Sequence, residues 1–118
     1  MLGHYSIAIA VGYGFDFDNS RPQPINLNTG NPADLEYNGG VYLDVGTDGE
    51  FSEPSVAAPS YHSCLNDTVY TKQISGFTTG TVICYTGHGV IAGVLITTQP
   101  TEPIQSLTFE GTVWKGAA

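Results

Sequence analysis

Between Tyr5 and Phe17 every second residue is apolar. Tyr5, Ile7, Ile9, Val11, Tyr13, Phe15 and Phe17 alternate with small or polar residues. A period of two is that of a β-strand. Gly12 and Gly14 predict a bulge or bend within it, so residues 4–18 read as one strand or a bent pair. Residues 19–32 read as a turn-rich loop or sheet edge, because Arg21-Pro22, Gln23-Pro24, Thr29-Gly30 and Asn31-Pro32 exclude an inner strand. Residues 33–37 and 41–45 predict short strands around the turn signal Asn38-Gly39-Gly40, and 46–50 a further turn. Residues 55–58 read as a brief strand ahead of Pro59.

Residues 60–74 hold the helix candidate. Ser60 is placed to cap it, and Tyr61, Cys64, Leu65 and Thr68 fall at helical spacing. The β-branched run Thr68-Val69-Tyr70-Thr71 pulls the later part toward extended structure. Residues 80–85 and 90–98 predict two strands around the hairpin turn Thr86-Gly87-His88-Gly89. Residues 104–114 predict the last strand, where Leu107, Phe109, Thr112 and Trp114 alternate with one slip around Gly111. Many short strands, frequent Gly and Pro turns and one short helix predict a mainly β, single-domain β-sandwich or flattened barrel spanning residues 1–118.

Charge narrows the partners. Eleven acids against three bases (Arg21, Lys72 and Lys115) give a formal net charge of -8. Neither nucleic acid nor an anionic membrane surface suits so few cations. Neutral ligands, cations or another protein remain. Apolar runs are too short to cross a bilayer, so no membrane insertion is expected. Residues 1–10 lack the basic stretch of a secretory leader, and the chain reads as a mature form or an excised domain.

Cys64 and Cys84 lack the spacing of a zinc site. Two readings stand: a pair of buried free thiols, or one disulfide closing a loop of about twenty residues and adding ~3 kcal/mol.

Several segments, in order, carry a resemblance: Gly14-Phe15-Asp16-Phe17-Asp18, Ala33-Asp34-Leu35, Tyr61-His62-Ser63-Cys64, Tyr70-Thr71-Lys72-Gln73-Ile74, Gly80-Thr81-Val82-Ile83-Cys84-Tyr85-Thr86, residues 89–96, and Leu107-Thr108-Phe109-Glu110-Gly111-Thr112-Val113-Trp114. With these the chain resembles a small, largely uncharacterised β-domain of actinobacterial secreted and membrane-anchored proteins, including the extracellular ends of some serine/threonine protein kinases. The resemblance rests on order and spacing and does not extend to residues 2–11 or the Pro-rich loop. It implies an extracellular position, secreted or at the cell surface, and a Cys64–Cys84 disulfide. It implies no known activity.

Candidate chemistry is sparse. Asp16, Asp18 and Asn19 cluster at a strand end and are a possible calcium site, with Asp34, Glu36, Asp44, Asp48 and Glu50 as further oxygen donors. A solvated acidic loop is the plain alternative. His62, Ser63 and Asp67 suggest a hydrolase, but no G-x-S-x-G pattern supports a nucleophile, and an enzyme is not expected. His4, His62 and His88 are too scattered for a metal site. Asn66-Asp67-Thr68 is a glycosylation sequon, without meaning in a bacterial source.

Seven tyrosines (Tyr5, Tyr13, Tyr37, Tyr42, Tyr61, Tyr70 and Tyr85) and Trp114 are either core residues or, where exposed, platforms for sugar rings. Tyr13, Asp16, Asp18, Asn19, Tyr37 and Tyr42 form the candidate ligand-binding set. The function expected is an extracellular recognition module binding a neutral glycan, peptide or protein through loops. The alternative is a structural subunit that self-associates by strand edges, because residues 2–11 are apolar, nearly uncharged and free of proline.

Overall fold

The computed structural model describes residues 3–10, 12–17, 25–26, 33–39, 42–45, 49–67, 69–75, 78–87, 89–98 and 106–115, with 25–26, 38–39, 42 and 106 described by their backbone alone. Their elements are β1 (Gly3–Ala10), β2 (Tyr13–Phe15), β3 (Ile25–Asn26), β4 (Leu35–Gly39), β5 (Tyr42–Val45), β6 (Glu50–Ser52), α1 (Tyr61–Asn66), β7 (Gln73–Ser75), β8 (Val82–Gly87), β9 (Val90–Thr98) and β10 (Ser106–Lys115).

The strands form two antiparallel five-stranded sheets, β1-β10-β9-β8-β6 and β3-β2-β4-β5-β7. The alternation that begins at Tyr5 runs through both. At Gly12 the backbone takes φ 90°, a conformation glycine adopts without penalty. There the chain leaves the first sheet and enters the second, and the Gly12 N–H donates to the Tyr37 carbonyl at 2.8 Å. Elsewhere Phe51 of β6 and Thr71 exchange two backbone hydrogen bonds of 2.8 Å. This bridge ties the edge of the first sheet to the segment entering β7. The molecule is thus a sandwich partly stitched toward a barrel.

One core fills the space between the sheets. Ile9, Phe51, Ile83, Tyr85, Val94 and Phe109 enter it from the first sheet. Phe15, Leu35, Tyr37, Leu43 and Ile74 enter it from the second. Phe15 of β2 and Phe109 of β10 meet edge to face with ring centroids 5.7 Å apart, which joins the two sheets. A second, smaller cluster lies on the outer face of the first sheet, where Cys64, Cys84 and Ile91 pack with Tyr61 and Trp114. The helix covers this face, so the fold has three layers in part.

Asp34 is one of two buried polar residues among those described. Its carboxylate accepts the Phe17 N–H at 2.9 Å and the Tyr85 hydroxyl at 3.1 Å. The Asp34 N–H in turn donates to the Asp16 carboxylate at 2.9 Å. A buried carboxylate is tolerated because it is hydrogen-bonded, and here it links β8 to the strand ends of the second sheet.

Several expectations are corrected. Residues 55–58 form no strand; the strand of this region is β6, three residues long, which begins at the last residue of the predicted 46–50 turn. The helix ends at Asn66, and the end of its predicted range, residues 73–74, belongs to β7. Alternation in β10 does not slip at Gly111: Leu107, Phe109, Gly111 and Val113 all face the core. Trp114 faces outward against Tyr61, with ring centroids 6.2 Å apart. The register shift of β10 against β9 lies instead between Thr108 and Phe109. Within the predicted 19–32 loop, residues 25–26 pair with β2 as β3, at the sheet edge.

Candidate binding surface

The surface grows from the helix. Six residues are too few to hold a helix alone, and three devices fix this one. Ser60 caps it: the Ser63 N–H donates to Ser60 Oγ at 3.0 Å, and the Ser60 N–H donates to Ser63 Oγ at 3.1 Å. A disulfide joins Cys64 to Cys84 of β8, with Cα atoms 5.3 Å apart. The third device is close approach of Pro59 to the sheet at Gly93. A Cβ at Gly93 would lie 2.4 Å from the Pro59 Cβ, so only glycine admits this contact.

Beyond α1 the Asp67 carboxylate accepts the Val69 N–H at 3.1 Å and turns the chain. The bridge of Thr71 to Phe51 then holds the chain again. Between these two anchors Val69, 80% exposed, and Tyr70, 44% exposed, project into solvent, and Leu65 at the end of α1 is 36% exposed. Val56 and Tyr13 complete the large exposed apolar side chains among the described residues.

Tyr70 stands between two open grooves. One, of about 400 Å³, lies between Leu65, Tyr70 and the β8–β9 hairpin, where Thr86, Gly87 and Val90 line it. The other, of about 340 Å³, is lined by Glu53, Asp67, Val69, Tyr70, Thr71 and Ile74. Among the described residues, the polar side chains that line them are threonines, carboxylates and the Tyr70 hydroxyl, with no lysine or arginine. Lys72 pairs with Glu50 at 3.8 Å and donates to the Gly49 carbonyl. Such grooves disfavour anions and offer acceptors to hydroxyl, amide or ammonium donors beside an aromatic face.

The residues singled out from the sequence are placed differently. Cys64 and Cys84 are joined as the resemblance implies. Tyr13, 36% exposed, sits at the end of β2 opposite Tyr37. Tyr37 is fully buried in the core, which removes its ring from the candidate ligand surface. Burial pushes its phenol above the ordinary value of 10.0. Asp16 holds the Asp34 backbone, as described above. Tyr42 belongs to β5 by its backbone. Asp18 and Asn19 lie outside the described residues, as does His88. Among the described residues no group of three or more His, Cys, Asp or Glu side chains is arranged to hold a metal ion.

Ser63, a candidate nucleophile by sequence, spends its hydroxyl on the helix cap, donating to the Ser60 carbonyl at 3.1 Å. Tyr70 is one of eight tyrosine and tryptophan residues in the sequence, and Leu65 and Val69 carry no separate signal. The readable hint was an apolar pair, Val69-Tyr70, directly after the helical spacing breaks down.

No helix among the described residues is long and apolar enough to cross a membrane. Compared with known proteins, the chain matches no family model, no curated protein and no solved structure.

Proposed function

We propose that the protein is an extracellular recognition module that binds a neutral ligand, a glycan or peptide, at the surface around Tyr70. The observation that carries this reading is the concentration of exposed apolar side chains there, with grooves on both sides of one aromatic ring. Scattered surface apolar residues are ordinary, but a contiguous set on a braced scaffold points to a partner. The bracing is covalent, which suits an oxidising compartment. The resemblance to extracellular actinobacterial domains supports the same location.

Recognition needs a surface that holds its shape without ligand, since ordering a loop on binding costs affinity. The capped helix, the disulfide and the Phe51–Thr71 bridge supply that order on each side of Tyr70. The acidic character of the second groove, from Glu53 and Asp67, selects against anionic ligands.

The test is a screen of glycan and peptide arrays with the intact chain and with Tyr70→Ala. Binding that falls at least tenfold in the variant, with an unchanged melting temperature, supports the reading. Equal binding by both proteins moves the site elsewhere. A chelator arm covers the calcium proposal at Asp16, Asp18 and Asn19: ligand binding or melting temperature that drops with EDTA supports a bound cation.

A further inference from the structure

We propose that β1 is a self-pairing edge, and that two copies of this chain join through it, antiparallel, so that their first sheets become one continuous sheet. In that sheet β1 has β10 on one side and, among the described residues, no strand on the other. Its pairing with β10 runs from Gly3↔Val113 to Ala10↔Ser106 without a register shift. The strand, GHYSIAIA, holds no proline, lysine, arginine or carboxylate. Proline, edge charges and bulges are the usual guards against edge pairing, and β1 has none of them.

Burial gives an independent sign. Core-facing side chains of β1 lose cover toward its start: Ile9 is buried, whereas Tyr5 and Ile7 are only half-buried. Phe109, directly opposite Ile7 on β10, is fully buried. The apolar row of the core therefore reaches the sheet edge and stops part-covered. An adjoining strand that continues the row would cover it.

The occupant that fits is a second copy. Its own β1 brings the same apolar row at the same spacing, and a two-fold axis, the commonest closed symmetry of identical chains, sets two such strands antiparallel. Charge selects the same contact. Each copy carries -8, so most approaches set acid against acid. The exposed face of β1 carries His4, Ser6, Ala8 and Ala10 and no acid, so like-charged copies meet there with least repulsion.

Keeping core-facing residues on one side allows two central registers. Ile7 pairs with Ile7 of the second copy, or Ser6 with Ser6; a shift of one residue between them would turn the apolar row outward. Helix α1 and the Tyr70 grooves lie by β8, β9 and β6, away from β1 in the sheet order, so both copies keep them free. The dimer would present two recognition surfaces and gain avidity for a repeating ligand.

Sedimentation velocity of the intact chain from about 1 µM to about 1 mM spans the range expected of a small interface. The mass is expected to rise from one copy to two across it. The midpoint should fall to lower protein concentration as salt is raised, because screening relieves repulsion between the acidic copies. Ser6→Lys with Ala8→Lys, both on the exposed face, sets cations opposite cations and should stay one copy throughout with its melting temperature kept. Hydrogen exchange of the wild-type amides in 3–10 should slow at the higher concentration. A single-copy mass over the whole range, or association of the double variant equal to wild type, overturns the proposal. If the variant does not fold, exchange in 3–10 that is independent of wild-type concentration overturns it alone.

Discussion

Removing the disulfide tests how the recognition surface is held. Replacing both Cys64 and Cys84 by alanine frees a loop of sequence separation 20 in the unfolded chain. Loop-closure entropy for that separation corresponds to ~3 kcal/mol at room temperature. Unfolding entropy near 60 °C is roughly 2 cal/mol/K per residue, so for this length each kcal/mol shifts the midpoint by about 4 °C. The expected loss in Tm is therefore about 12 °C. Calorimetry with urea titration reads it, and the urea slope should rise because the unlinked denatured chain exposes more surface. Near-UV circular dichroism adds a local signal. Trp114 packs against Tyr61 of α1, so its band should weaken as the freed helix loosens, before the sandwich melts. A fall of less than about 4 °C, equivalent to 1 kcal/mol, with unchanged slope and Trp114 signal, would refute the claim that this link holds α1.

Three further predictions follow from the interior. Burial raises the Tyr37 phenol, so the folded state resists its ionisation; stability should be full below about pH 10 and fall as pH rises through that value toward the folded one. Urea midpoints measured across that range should show a smaller loss in Tyr37→Phe. Asp34→Ala leaves the Phe17 N–H and Tyr85 hydroxyl without their acceptor, at a cost of roughly 2–4 kcal/mol, whereas Asp34→Asn keeps an acceptor oxygen and should cost less. Adding Tyr85→Phe to Asp34→Ala should cost less than the sum of the two single losses in a denaturation cycle. Gly93→Val places side-chain atoms where Pro59 lies and should cost about 1–3 kcal/mol, with a changed Trp114 emission as the segment before α1 lifts.

Much of this fold is legible in the sequence where one residue type leaves the chain little choice. The period of two through residues 5–17 and the glycine at 12 together predict a strand or a bent pair, and the bend is where the chain passes from β1 to β2. The hairpin reads as well: Gly89 takes φ 75°, and β9 occupies Val90–Thr98 as expected. The helix start is fixed by Ser60.

Other elements are set by partners far along the chain. β6 and β7 have three residues each, too few for a period to show, and exist because β8 and β5 supply their hydrogen bonds. Trp114 misleads because α1 gives the end of β10 a second apolar face, so alternation there ceases to mark the core. Tyr37 misleads in the opposite sense: a phenol suits a surface, yet its register opposite Tyr13 and its place between the sheets bury it. The Tyr70 surface is the least legible part. It depends on where the helix stops and on the distant hairpin that forms the other wall of its groove.

Amide chemical-shift mapping, titrating the isotope-labelled chain with the tightest glycan or peptide from the array screen, tests the central claim most directly. The largest changes should gather at Leu65, Val69, Tyr70, Thr86 and Val90, and Tyr70→Ala should abolish them. Changes centred on Tyr13 and Asp16, with the α1 end and the β8–β9 hairpin unmoved, would contradict it.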